Sequence, residues 1–339
     1  MMPVNEKTVM IPVHDDTLVQ KEGVGVIYLA GGCFWCLEKY MRAIPGVIKV
    51  TTGYANGLQN IKPEYKRVNT GVTGYQEAVR VEYDQTKISL EAILFAYFRI
   101  IDPTVENRQG KYQGTQFQTG IYYADMASGK KVLLVADVER LRQTDFKVEI
   151  SPLTSFYDAE EEHQQYLEKH PEEECHISQT LFDMVSNMIV DPANFPHIGA
   201  AKLKKKLTEK QYSVTQNSET ETPFDNLYWD KFDKGIYVDV VTGEPLFSSA
   251  DKYKSSYGWP TFSRVIDENS FIYTAFSNQG KSWIGLSSRT GNSHLGRVFY
   301  DDPESPTGKR YSINSASLKF IPYEKMEKKG YGFLKDLVK

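Results

Sequence analysis

Among the side chains able to do covalent chemistry, the cysteines are the fewest and the most unevenly placed. The chain has three, and two of them, Cys33 and Cys36, stand in the run Gly31-Gly32-Cys33-Phe34-Trp35-Cys36. A short apolar run, Val24 to Leu29, precedes it and reads as a strand; Leu37 to Ile44 follows with helical spacing. A sulfur at a helix N-terminus meets free N–H groups and the positive end of the helix dipole, which favour the nucleophilic thiolate. The glycines let the backbone turn sharply there and leave the sulfur uncrowded. Cys36 falls on the same helical face, within reach of a disulfide. Two redox chemistries fit: a dithiol that cycles with its disulfide, and a cysteine that takes an oxygen atom and is recovered through a disulfide. The structural alternative is two small side chains packed at a helix start. A four-ligand zinc cage does not fit three cysteines with no second C-x-x-C, so no metal is expected.

The elements that must position these sulfurs are legible as alternating strands and helices. Glu77 to Tyr83 alternates as a half-buried strand. Leu90, Ile93, Leu94, Tyr97, Phe98 and Ile101 recur at helical spacing until Asp102-Pro103 stops the run. Thr119 to Ala124 and Lys147 to Ile150 read as strands, and Tyr157 to His170 as a helix. This pattern predicts an α/β domain over 24–180, behind a loose N-terminal arm at 1–23. A Pro- and Gly-containing linker with a short basic helix at 201–212 spans about 181–206 and runs on. From 207 to 339 the chain is rich in Tyr, Phe, Trp, Ser and Gly with short strand signals, as in GIYVDVVTGEPLF and INSASLKFIP, and is expected to be mostly β.

Composition excludes several classes. With 339 residues, 40% apolar and 25% charged, the chain is long enough for two ordinary globular domains. A net charge of −4 offers no basic stripe for nucleic acid and no polybasic membrane anchor. No apolar run approaches a membrane span, and the N-terminus has no continuous apolar core of a secretory signal. Few cysteines and no disulfide framework suit a reducing compartment, so a cytoplasmic location is expected.

The run GGCFWCLE resembles the GCFWG-type signature of methionine sulfoxide reductase A. The likeness continues in family order through GYANG (53–57), PEYKRV (63–68), TGYQEAV (73–79), FRIIDPT (98–104), GTQFQTGIYY (114–123) and YDAEEEHQQYLEKHP (157–171). From about 207, LTEKQYSVTQNSETETPF, YGWPTF, NSHLGRVF and RYSINSASLKFIP resemble methionine sulfoxide reductase B. The A-then-B order is that of the fused reductases. It implies a two-layer α/β sandwich followed by a mostly β, Mss4-like domain. It implies repair of oxidised proteins and peptides by thioredoxin-linked reduction of methionine (S)-sulfoxide, with no bound cofactor and electrons supplied by thioredoxin.

Roles carried over residue by residue make Cys33 the nucleophile and Phe34 and Trp35 an apolar box for the substrate methyl. Glu77 becomes the acid for the sulfoxide oxygen, Tyr65 a hydroxyl donor, and Cys175 the resolving cysteine, giving a Cys33–Cys175 disulfide. Cys36 stands where the family usually has glycine and is either a competing resolving thiol or a spare. His163 reads as a satisfied structural histidine. The chain departs from the family where Tyr112 replaces an aspartate, Phe117 a tyrosine and Tyr75 a histidine. Loss of one preorganised donor costs ~10²–10³ in rate, so a slowed reductase is expected.

The second half departs further: Ser312 occupies the catalytic cysteine's place, Tyr257 the resolving cysteine's and Arg297 a histidine's. A serine hydroxyl is essentially never ionised near neutrality and cannot pass through a sulfenic acid to a disulfide. No turnover of the (R)-sulfoxide is expected there. Trp259, His294, Asp301, Arg310 and Asn314 still match the family pocket, which is then a scaffold or a binding site. Two rival functions stay open: a dithiol–disulfide oxidoreductase using Cys33 and Cys36, and a non-enzymatic sulfoxide binder or redox sensor.

Overall fold

The alternation of apolar and polar residues in the first half builds a single mixed sheet around the sulfurs. A computed structural model describes residues 15, 17–19, 21–58, 61–278 and 281–338. The chain divides into two compact units, Met1–Asn187 and Met188–Lys339.

In the first unit, β1 (Val24–Ala30) leads through the Gly31-Gly32 turn into α1 (Phe34–Arg42), then β2 (Val47–Ala55), a single turn α2 (Tyr65–Val68) and β3 (Gln76–Asp84). The helix α3 (Leu90–Ile100) begins at Ser89, whose hydroxyl accepts the Ala92 N–H, an N-cap worth about 1 kcal/mol. A two-residue-stranded hairpin, β4 (Arg108–Gln109) and β5 (Tyr112–Gln113), precedes β6 (Gly120–Tyr123), the long α4 (Met126–Arg140), β7 (Glu149–Pro152) and β8 (Phe156–Asp158). The sheet order is β7-β6-β1-β3-β2-β8, antiparallel except for the β6–β7 pair. Tyr28, Ala30, Ala55, Ala78, Tyr122, Leu153 and Phe156 form a core on one face. By strand alternation Ile27, Leu29, Val79 and Val81 point to the other, where helices pack on the strands.

Three expectations are corrected in this unit. The segment 157–170 is not one helix: after β8 it makes a 3₁₀ turn and only the short α5 (Tyr166–Lys169). Gln165 adopts φ +52, which breaks any continuous helix, and Gln164 spends its side chain on the backbone N–H and C=O of Thr52. The N-terminal arm lies largely outside the described residues, but Asp15 and Thr17 are not loose. The buried Arg80 donates to Asp15 at 2.9 Å, Thr17 at 2.6 Å and Asp158 at 3.1 Å, and the Tyr28 hydroxyl donates to Asp15. The first part of the expected linker is also ordered, as α6 (Gln179–Ser186).

The second unit opens with the rest of the expected linker packed into its core. Val190 and Phe195 join Ile236, Val238, Ile321 and Leu334, while Leu203 and Leu207 pack on Val241. The expected basic helix is two, α7 (Ala200–Lys206) and α8 (Glu209–Asn217), because Thr208 and Gln211 form a capping box that starts a new helix. Then come β9 (Gly235–Asp239), β10 (Pro245–Ser248), β11 (Thr261–Phe262), β12 (Phe271–Asn278), β13 (Lys281–Ser288), β14 (His294–Phe299), β15 (Arg310–Ile313), β16 (Leu318–Pro322) and the short α9 (Tyr323–Met326). They form two antiparallel sheets, β10-β9-β16 and β11-β15-β14-β13-β12. Tyr237, Phe247, Phe262, Phe271 and Tyr311 fill the core between them, with Phe247 stacked on Phe262 at 4.3 Å. INSASLKFIP is split between β15 and β16 by a 3₁₀ turn at Ser315–Ser317. Among the described residues, no helix is long and apolar enough to cross a membrane.

Candidate active site

Cys33 is the N-cap of α1, with extended backbone (φ −61, ψ 114) and its carbonyl accepting the Leu37 N–H at 3.2 Å. Its side chain is buried at the opening turn of α1, where the backbone N–H groups of Cys36 and Trp35 and the Tyr112 hydroxyl act to lower its pKa. Those donors favour the thiolate, as a helix start should. Burial, and secondarily the charge of Glu77, oppose them and win, so the thiol is pushed up to about 11. The lowered thiol pKa expected from the helix terminus is therefore overturned by burial, and the resting sulfur keeps its proton.

Glu77 lies near the start of β3, 2% exposed, and its Oε2 accepts the Phe34 N–H at 3.2 Å. Burial pushes its carboxyl up to about 8 against the pull of that single N–H. At neutral pH it is a protonated donor beside the sulfur.

Aromatic rings enclose the pair. Phe34 is 5.9 Å from Tyr54 and stacks on Tyr65 at 6.1 Å. Trp35 stacks on Tyr166 at 3.8 Å and on Tyr65 at 5.9 Å. Tyr65 is held by Glu160, which accepts its N–H at 2.8 Å and the Tyr54 hydroxyl at 2.7 Å. Burial first, then the nearby Glu77 and Cys33, push the Tyr65 phenol up to about 12, so it stays a neutral donor. Tyr54, Glu160, His163 and Tyr166 were not assigned to the site from sequence. The three-residue spacing of Glu160, His163 and Tyr166 was the available signal. His163 is not the satisfied histidine expected. It is 6% exposed, 4.2 Å from the Tyr65 ring, and neither ring nitrogen has a hydrogen-bond partner among the described residues. Burial lowers its pKa and keeps it neutral.

The β4–β5 hairpin carries Tyr112, whose ring lies 5.4 Å from Phe117 and 5.5 Å from His176. Behind Cys33, Cys36 and Cys175 are joined in a disulfide across 139 residues, Cα–Cα 5.5 Å, and Cys33 is free. The pairing is thus Cys36–Cys175 and not the expected Cys33–Cys175, because the C-terminal segment meets α1 one turn beyond its cap. Cys36, Cys175 and His176 also lie within 4.8 Å of one another, the described residues' one grouping with metal-ligand atoms. Its two sulfurs are spent in the disulfide, and a metal needs thiolates.

In the second unit, Ser312 on β15 lies opposite Arg297 of β14 and Thr261 of β11. Arg310, two residues earlier and so on the same face, is sandwiched between Tyr257 at 3.4 Å and Phe299 at 4.1 Å. Its ion partner is the buried Asp302 at 2.8 Å; Asp301, the expected residue, is exposed in a left-handed turn (φ +58). Arg297 is exposed and lies 5.0 Å over Trp283; burial first, and then the Arg297 charge, lowers the pKa of the half-buried His294. The Trp259 indole donates to the Glu221 carbonyl at 3.0 Å. Asn314 accepts the Glu221 N–H and donates to the Leu295 carbonyl, so it pins two backbone segments together.

Residues 25–189 match the family model of peptide methionine sulfoxide reductases, and residues 207–322 match the SelR domain. Among solved structures, the chain is similar to reduced Mxr1 from Saccharomyces cerevisiae, 31% identical over 50% of this chain and 93% of that one, TM-score 0.44. It is similar to methionine sulfoxide reductase A of Corynebacterium diphtheriae, 32% identical over 46% and 79%, TM-score 0.41. Mxr1 has also been solved in complex with Trx2; that structure is 23% identical over 44% and 91%, TM-score 0.32. The two family matches take up most of the chain, in the order read from its motifs. The chain belongs to the methionine sulfoxide reductases, oxidoreductases acting on sulfur, as an A-type reductase domain followed by a SelR domain.

Proposed function

We propose that the first unit reduces the S epimer of methionine sulfoxide in peptides and proteins, and that thioredoxin recharges it. The observation that carries this reading is a free, buried Cys33 beside a protonated Glu77, with Cys36 and Cys175 already joined behind it. The substrate methyl enters the box formed by Phe34, Trp35 and Tyr166. Thiolate attack is matched by proton donation to the sulfoxide oxygen from Glu77, assisted by Tyr65. Oxygen moves to the Cys33 sulfur as a sulfenic acid, and methionine leaves. The Cys36 thiol, one turn along α1, then displaces water from that sulfenic acid. Cys175 attacks the resulting bond at Cys36, which frees the Cys33 thiol and leaves the disulfide seen here. Cys33 is buried, whereas Cys175 is half-buried next to the exposed His176, so a dithiol protein reaches the second disulfide from the Cys175 side. No bound cofactor is required by this cycle.

The second unit, with Ser312 in place of a thiol, carries out no (R)-sulfoxide reduction in this reading, because an oxygen nucleophile cannot be recovered through a disulfide. The test is incubation of the reduced chain with racemic methionine sulfoxide, thioredoxin, its reductase and NADPH, followed by chiral analysis. Consumption of the S epimer alone, abolished in Cys33→Ser, is expected. Equal loss of both epimers, or turnover that survives Cys33→Ser, would refute it.

A further inference from the structure

We propose that the reduced chain holds one zinc ion on Cys36, Cys175 and His176, and that forming the Cys36–Cys175 disulfide releases it. The site itself stands apart from the reading of this unit as a sulfoxide reductase; its use during turnover rests on that reading.

Three parts of the fold gather the ligands. Cys36 is buried and fixed on α1. Cys175 and His176 come from the segment between α5 and α6, anchored by the buried Ile177. The β4–β5 hairpin supplies Tyr112, whose ring meets the His176 ring edge-on at 5.5 Å. The two sulfurs and a ring nitrogen of His176 all lie within 4.8 Å of one another. Tetrahedral zinc, ~2.3 Å from sulfur and ~2.0 Å from nitrogen, sets such atoms ~3.5–3.8 Å apart, so the set needs only side-chain adjustment once the disulfide opens. Three cysteines are too few for a cage of paired C-x-x-C motifs, but this site needs two of them and a histidine. Water completes the fourth position.

The donor set selects the ion. Two thiolates and an imidazole suit zinc and disfavour magnesium and calcium, which seek oxygen. Two thiolates also balance a divalent cation, so Cys36 ionises in a buried place without leaving an unpaired charge. The way in runs past the half-buried Cys175 and the exposed His176, beside the exposed run Glu172, Glu173 and Glu174, whose charge draws cations. Lys111, 5.6 Å over the Tyr112 ring, offsets part of that field. Cys33 is outside the grouping. A bound ion therefore caps both recycling sulfurs and leaves the nucleophile free.

The electron count gives the release. Zinc on two thiolates, one sulfoxide and two protons become free Zn²⁺, a disulfide, a thioether and water. The sulfoxide S–O bond breaks and the Cys36–Cys175 bond forms, by way of the Cys33 sulfenic acid. The two thiolates lose two electrons, and the substrate sulfur gains them. Metal binding needs thiolates; once both are oxidised, His176 alone does not retain the ion.

The experiment reduces the full-length chain, removes the reductant under argon and titrates with Zn²⁺ against a chromophoric chelator, with Co²⁺ in a parallel sample. One zinc per reduced chain is expected, and less than ~0.1 per oxidised chain, because the deprotonated sulfurs carry the affinity. The cobalt form should show a thiolate-to-metal charge-transfer band that the oxidised chain lacks. His176→Ala, at an exposed position, should weaken zinc by more than ~10-fold, the lower bound for loss of an outer-shell partner alone. That separates a three-ligand site from zinc held adventitiously by two thiols. One equivalent of methionine sulfoxide should release the zinc as methionine forms. A reduced chain that takes up no more zinc than the oxidised one, or a His176→Ala affinity within about threefold of wild type, overturns the proposal; methionine formed by the same sample keeps the reductase reading intact. Zinc retained after the disulfide has formed also overturns it. Zinc held by the reduced chain and released by diamide, with no methionine from the sulfoxide, upholds the site and sinks the reductase reading.

Discussion

The pH dependence of the oxygen-transfer step tests the central electrostatic claim. Burial sets the Glu77 carboxyl at about 8 and, with Glu77, the Cys33 thiol at about 11. The two groups interact, so these describe a pair that sheds two protons in sequence. The reactive arrangement, a thiolate beside a neutral acid, belongs to the pair holding one proton; it is outweighed there by charged Glu77 beside protonated Cys33, but the two arrangements keep a fixed ratio at every pH. The one-proton pair is dominant between about 8 and 11. Below about 8 the pair holds two protons, and at pH 7 only about a tenth of the molecules have lost the first. The single-turnover rate is therefore expected to rise about tenfold per pH unit up to pH 7 and to flatten above 8. Glu77→Gln removes both the acid and the charge that raises the thiol. Its plateau should fall by ~10²–10⁴, the range for a lost general acid, and its rising limb should become a single ionisation of Cys33, displaced below 11 by loss of that charge. Rapid-quench measurement of methionine from pH 6 to 9.5 checks this. A wild-type rate that declines through pH 8 would refute the reasoning, because the reactive form would then hold two protons.

Three further outcomes follow from the same geometry. Cys36→Ser and Cys175→Ser should each still yield one methionine per chain, because oxygen transfer needs only Cys33, but thioredoxin-driven turnover should slow at least about tenfold; mass mapping after one wild-type turnover should find Cys36–Cys175. Ser312→Cys, placed beside Arg297 on the adjacent strand, should gain at most one turnover on the (R)-sulfoxide, because Tyr257 is not a thiol; chiral analysis with stoichiometric enzyme reads it. Arg80→Ala leaves Asp15 and Asp158 buried or half-buried without their shared cation, and should destabilise the first unit by about 3–5 kcal/mol; urea unfolding followed by a probe in that unit measures it, and a loss under about 1 kcal/mol contradicts it.

The strand–turn–helix around Cys33, β3 and α3 could be read directly, because a period of two or of 3.6 in apolar residues is a local property. The misreadings came where local pattern and tertiary demand disagreed. In 157–170 the acidic and aromatic residues have helical spacing, yet Gln164 leaves the helix to bond Thr52 and Glu160 to hold Tyr54 and Tyr65. Residues 181–206 read as a linker because Pro and Gly break their pattern, but their start belongs to α6, and Val190, Phe195 and Leu203 are core residues of the second unit. Asp301 and Asp302 differ only in which faces inward, and nothing in two adjacent aspartates says so.

By itself, the sequence determined the chemical stock and its order: a cysteine at a helix start, two more sulfurs, a glutamate opening a strand, and a second domain with serine at its catalytic position. Only tertiary structure decided how those groups behave. It joined Cys36 to Cys175, set the protons on Glu77 and Cys33, and gathered Tyr54, Tyr65, His163 and Tyr166 around Phe34 and Trp35. Side-chain identity is local, whereas desolvation and hydrogen-bond geometry are summed over neighbours drawn from distant parts of the chain.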